Sequence, residues 1–196
     1  ADAIRKSRSE IRFLRAFNYW VMMDIFGKST FITEAYGVAE DQPPVEISRK
    51  DLFKYVIGEL KAIEPDMLPA KTAEYGRVDQ AANWALCARI YLNGNVYMSS
   101  SNNAYYDSAV FYSQKVINAG YSLNNTTVNT YNPYAQLFMA DNDKRTNEMI
   151  WAITCDGQNT QGYGNTTFLV NCPSGDDKGT DYFTGAGGAG WKGYVA

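Results

Sequence analysis

Near the end of the sequence, Gly185, Gly187 and Gly190 spell G-x-G-x-x-G, and Trp191 follows at once. Two chemistries use such a run. Backbone N–H groups can cradle a phosphate, or the glycines can let a ligand come close while an aromatic ring is presented to it. The phosphate reading needs a buried strand leading in, a helix starting inside the motif and an acidic residue ~20 positions on. The stretch before Gly185, "KGTDYFT", is polar, and six residues after Gly190 the sequence given stops. The phosphate reading therefore fails. Tyr163 stands between two glycines in "GYGN", as Trp191 stands after its own. Exposed rings in such loops stack flat ligands, and sugars do so through their C–H faces. The opposing reading, that both rings tuck back onto the core and the glycines merely turn the chain, fits the composition equally well.

Other chemistries find less support. The chain has no histidine, so His-dependent triads and the commonest zinc ligand are excluded. Asp141, Asp143, Asp156, Asp176, Asp177 and Asp181 could supply the carboxylate pair of a glycosidase, but acids in polar loops are ordinarily just solvated. The "ADND" cluster at 140–143 offers oxygen ligands to a hard cation such as calcium, without the spacing of an EF-hand. Cys87, inside an Ala-rich helical stretch, reads as a buried small hydrophobe; a disulfide between Cys155 and Cys172 stays open. Asn124, Asn125 and Asn165 head N-x-[ST] sequons, which Asn/Thr-rich loops generate by chance. A net charge of −3 with no Lys/Arg block argues against nucleic acid as a partner. No apolar run is long enough to span a bilayer. The sequence does not begin with Met and its first residues already read as helix, so an upstream segment is expected.

The elements that must carry these loops are helical. Residues 3–26 form a long helix on which Ile4, Ile11, Leu14, Val21 and Ile25 recur at helical spacing, stopped by Gly27. Ser48 with Asp51 announces a second helix with the stripe Leu52, Val56, Leu60 and Ile63, ending before Pro65. A third, 78–92, presents Ala81, Ala82, Ala85 and Ala88 as a small-residue face and ends at Asn93-Gly94. A fourth, 104–118, carries Ala109, Val110, Val116 and Ile117 and ends at Gly120. These make two helix–turn–helix pairs, with Gly27 and Gly94 spaced near twice the ~34-residue period of a tetratricopeptide repeat. The fold class expected is mainly α: tetratricopeptide-like pairs over 1–120, then a loop-rich region, 121–196. In that region "YNPYAQLFMADND" predicts a short helix and an acidic loop, and 148–155 and 166–172 predict short strands.

Two stretches carry a resemblance. "SEIRFLRAFNYWVMMDIFGKSTFITE" has the order E-x-R-F-L-R-A, aromatics, D-x-F-G and a strand-like tail. "YGRVDQAANWALCARIYLNGNVY" has Gly76-Arg77, then Ala81-Ala82, then A-R-x-Y-L. With the acidic "FMADND" before "E-x-I", they resemble the SusD-like (RagB/SusD) outer-membrane glycan-binding lipoproteins of Bacteroidetes, in order from the first residues to about residue 172. The match is closest to the starch-binding branch, and the chain resembles an internal piece of such a protein.

The resemblance implies a helical scaffold, no enzymatic activity and no required cofactor. It implies capture of α-glucan or maltooligosaccharide at the cell surface, and a partner in a SusC-like TonB-dependent transporter. Tyr163 matches one aromatic of the arc that follows the glucan curve, and Trp191 resembles another. Asp143 matches a calcium ligand of that branch, whose other ligands lie outside this sequence. Two further readings stand beside it: a helical-repeat scaffold that binds only protein, and a hydrolase.

Overall fold

The computed structural model describes residues 2–34, 36, 43–139 and 141–154. Residues 1–152 make one compact unit; of the second, 153–196, only Ile153 and Thr154 are described. The elements run α1 (Asp2–Phe26), β1 (Lys28–Thr30), β2 (Glu46–Ser48), α2 (Arg49–Ile63), α3 (Gln80–Leu92), α4 (Gly94–Met98), α5 (Ala104–Asn118) and α6 (Pro133–Gln136), with 3-10 turns at Glu64–Asp66 and Asn142–Lys144. The four expected helices and the short helix after residue 130 are all present. α1 packs on α2 and α3 on α5, with α4 inserted against α2.

Helix ends follow local chemistry. The Ser48 hydroxyl accepts from the Asp51 N–H at 3.3 Å and donates to the Asp51 carboxylate at 2.7 Å. The buried Asp79 carboxylate accepts from the N–H groups of Ala81 and Ala82 and, through its second oxygen, from that of Lys71. Gly27 and Gly120 sit at φ +72° and +83°, the left-handed turn that releases the chain from a helix. Asn93-Gly94 ends α3 as expected, but α4 starts at once. Gly94 is required there by contact: a Cβ would lie 2.8 Å from Cγ of Tyr105.

The core joins α1 through α5. Leu52, Val56, Leu60 and Ile63 are buried as the stripe on α2 predicted, and Cys87 is fully buried, its thiol pushed up to about 12 by desolvation. On α1 the inward face differs from the expected one. Ser9, Phe13, Ala16 and Met23 are buried, while Ile4, Ile11, Leu14 and Ile25 face outward. On α5, Val116 and Ala109 are buried with Tyr112, whereas Val110 and Ile117 are exposed. The small Ser9 and Ala16 permit close approach of α2, and two arginines fix the rotation of α1. Arg12 grips Glu59 on α2 bidentately at 2.7 and 3.0 Å, and Arg15 donates to the same carboxylate at 3.0 Å. Arg15 also pairs with Glu34 at 2.9 Å.

The strand-like tail after α1 is real: β1 pairs antiparallel with β2, Ser29 opposite Ile47. Tyr19 holds this ribbon to α1 by donating to the Ile32 carbonyl at 2.8 Å and accepting from the Ile32 N–H. The strand expected at 148–155 does not form over the described residues 148–154. Its β-forming side chains serve as anchors: Ile150 and Trp151 pack on the helical core instead of pairing with a neighbouring strand. The stretch 166–172 and the Cys155–Cys172 pair lie outside the described residues.

The shared carboxylate of Glu59 is held below its ordinary range first by the Arg12 hydrogen bond, against desolvation, and Glu34 is held at about 2 by Arg15. Both are ionised in the fold at a pH where the unfolded chain takes up protons. Their stabilisation is complete above the ordinary pKa of 4.5 and is lost as pH falls below it, for Glu34 towards about 2. Thermal midpoints of the intact protein should fall across that window, and Glu59→Gln should flatten the fall. Glu59→Ala, which strands two arginines, should cost about 2–4 kcal/mol in denaturant unfolding.

Candidate functional site

The described part of the loop-rich region, 121–152, is knitted by side chain–backbone hydrogen bonds. The α6 cap Asn132 accepts from the Ala135 N–H at 2.7 Å, and Pro133 sits where a helix needs no N–H. Gln136, 1% exposed, donates to the carbonyls of Thr126 and Tyr131, closing the 126–131 turn beneath α6. Asn124 donates to the Pro133 carbonyl at 2.9 Å, so this sequon asparagine has a structural task. Its own N–H reaches Glu148 at 2.6 Å, tying the start of the segment to its end.

α6 and the turn that follows it thereby present two aromatic rings. Tyr134 and Phe138 are each 72% exposed and meet edge to face at 5.2 Å. Tyr131, on the adjoining turn, is exposed as well. These residues are not among the sites expected from the sequence. The available signal was the i, i+4 spacing of two aromatics behind an Asn-Pro helix start. Together they form an apolar shelf of the kind on which flat ligands stack.

Asp143 lies just beyond the shelf, in the 3-10 turn, exposed and with no hydrogen bond or ion pair among the described residues. Its neighbour Asp141 is engaged by Lys144 and Arg145. No group of three or more Asp, Glu, Cys or His side chains able to hold a metal occurs among the described residues. One unpaired carboxylate is not a calcium cage, so the described residues alone do not fit the ion. Tyr163 and Trp191 lie outside the described residues.

The segment is fixed to the helices by Trp151. Its indole meets Phe13 edge-on at 5.5 Å and Phe17 at 5.3 Å, and its N–H donates to the Gly76 carbonyl at 3.2 Å. One residue on, Arg77 grips Glu10 of α1 with contacts of 2.8–3.1 Å. Among the described residues no helix is long and apolar enough to cross a membrane.

Known proteins share both sequence and fold with this arrangement. Over 173 residues, 87% of this chain, it is 42% identical to the starch-binding protein SusD of Bacteroides thetaiotaomicron, and the match covers 29% of that relative. A crystal structure of a SusD-like protein from Bacteroides fragilis NCTC 9343 superposes with a TM-score of 0.67 at 20% identity, over 88% of this chain and 31% of the other. A SusD superfamily protein of the same strain gives 0.60 at 21% identity, over 84% and 33%. At those identities the structural likeness is one of fold. No model of a known protein family matches the chain. In sequence the chain is similar to the starch-binding relative and in fold to the SusD-like structures, and it spans less than a third of the curated relative's length.

Replacing Trp151 by Ala removes two edge-on aromatic contacts and a hydrogen bond, and should cost about 3 kcal/mol of stability. Hydrogen exchange should show protection lost across 122–150 while α2 and α3 keep theirs. Uniform loss in every helix would mean that Trp151 belongs to the general core and not to a separable anchor.

Proposed function

We propose that the protein captures α-glucan at the cell surface without cleaving it, and passes it to a TonB-dependent transporter of the SusC-like kind. The observation that carries the reading is the extended identity to a relative named for binding starch. The helical scaffold and the loop-rich segment docked on it agree with it. In this reading Tyr163 and Trp191 stack on successive sugar rings. The protein works as a lipid-anchored component of the outer membrane, with the anchor outside this sequence. Calcium belongs to the proposal through Asp143, with the remaining oxygen ligands supplied by residues outside this sequence.

A protein-only scaffold is the second reading, favoured by one observation: α1 and α5 turn Ile4, Ile11, Val110 and Ile117 outward at 61–74% exposure. Sugar-induced chemical-shift changes confined to the loops support capture; none at all, with partner-induced changes on the helices, supports the scaffold. Incubation with maltooligosaccharide should release no reducing ends.

Affinity electrophoresis of the intact protein in amylopectin tests the leading reading. Retention is expected, and Tyr163→Ala and Trp191→Ala should each weaken it about tenfold. Unchanged retention in both variants would show the assigned rings to be wrong. Calcium should raise the thermal midpoint of the intact protein, and Asp143→Asn should remove the rise; no rise, or one that survives the substitution, ends the metal assignment.

A further inference from the structure

A cleft of about 330 Å³ opens between the loop that precedes α3, Tyr121, and the segment 146–152. Its lining among the described residues ends at Ala152 and shares no residue with the aromatic shelf beside α6. One wall residue carries backbone strain: Lys71, which has a side chain, is held at φ +65°. Lys71 is fixed there at three points: its N–H donates to Asp79, its ammonium to the Gly120 carbonyl at 2.9 Å, and the ammonium also lies 4.9 Å from the centre of the Tyr121 ring.

The charges on the lining cancel. Lys71 and Arg77 face Glu74 and Asp79, and Lys71, Arg77 and Asp79 are already spent on protein partners. Among the described residues a phosphate or carboxylate ligand would find no free cation there. Groups left uncommitted among the described residues include Glu74 as acceptor, the side-chain oxygen of Asn147, the hydroxyls of Thr146 and Tyr121, and the half-exposed ring and hydroxyl of Tyr75. Burial pushes the Tyr121 phenol up to about 12, so at neutral pH it keeps its proton to donate. Acceptors and donors that are neutral or single, set round aromatic walls in a cleft near the lower size limit for ligands, match a small polyhydroxylated molecule with an apolar face.

We propose that this cleft binds a neutral mono- or disaccharide, as a second sugar site separate from the rings assigned to the long glucan. Tyr75 supplies the stacking face, and Glu74, Thr146 and Tyr121 take the hydroxyls. The site goes beyond the capture reading and does not depend on Tyr163 or Trp191.

Calorimetric titration of the intact protein with maltose, to about 20 mM, tests it. The titration is run in a Tyr163→Ala/Trp191→Ala background, so that the heat measured is that of the cleft. Saturable binding should remain in that background, and adding Tyr75→Ala should weaken it about tenfold. Glu74→Gln, an exposed and nearly isosteric change, should weaken it with the thermal midpoint unchanged, and so decides the matter if Tyr75→Ala perturbs folding. No saturable heat in the double variant, or maltose binding indifferent to both Tyr75→Ala and Glu74→Gln, would overturn the site. Failure of amylopectin retention would count against long-glucan capture alone, because the maltose titration reads different residues.

Discussion

The described structure depends on one aromatic lock, the Trp151 indole set edge-on against Phe13 and Phe17 of α1 and hydrogen-bonded to the Gly76 carbonyl. Without it, Ile150 would be the one large apolar side chain of the described loop-rich segment left packed on the helical core, since a stretch rich in Asn and Thr buries too little to hold itself. The lock also determines what α1 can be. Its inward face must offer rings to Trp151 and small residues to α2, so the aliphatic residues Ile4, Ile11 and Ile25 are turned to the other side. The arginines complete the constraint: Arg12 and Arg15 converge on one carboxylate of α2, which sets the rotation of the helix about its own axis.

The two stretches that carry the family resemblance have structural work in this fold. Glu10 and Arg77, one from each, grip each other; Phe13 and Gly76, again one from each, both touch Trp151. They are the joints that set the loop segment against the helices. On the proposed reading, sugar contacts come from side chains carried on that frame, and the described residues present two places suited to them. One is the shelf of Tyr134 and Phe138, and the other is the cleft around Tyr75. A frame of this kind keeps rings apart at fixed positions, which suits ligands that are long, repetitive and weakly held at each unit.

Helix positions were legible because caps and stops are local: Ser48 with Asp51, Gly27 and Gly120 each act within a turn of their own residue, whereas the Asp79 cap moves the start of α3 from the expected 78 to Gln80. The inward face of α1 was not legible, because its aliphatic period competes with a mixed set of Ser, Phe, Ala and Met whose burial depends on partners 40 or more positions away, such as Glu59. Residues 148–154 were misread for a related reason. Ile150 and Trp151 have strand propensity, but burial against α1 satisfies them without a neighbouring strand. The cleft could not be read at all, since Tyr75, Tyr121 and Thr146 come from three separate segments and meet only through the fold. Tyr134 and Phe138 are marked in the sequence by their i, i+4 spacing behind Asn132-Pro133, a local signal weaker than the glycines that flank Tyr163 and precede Trp191.

The central claim is that this frame serves the non-catalytic capture of α-linked glucan. Calorimetric titration of the intact protein with maltoheptaose, run in parallel with cellohexaose, tests it most directly. The account predicts saturable heat with the α-linked oligosaccharide, none with the β-linked one, and recovery of the maltoheptaose at its original length. Equal binding of both, no binding of either, or shortening of the recovered sugar would contradict it.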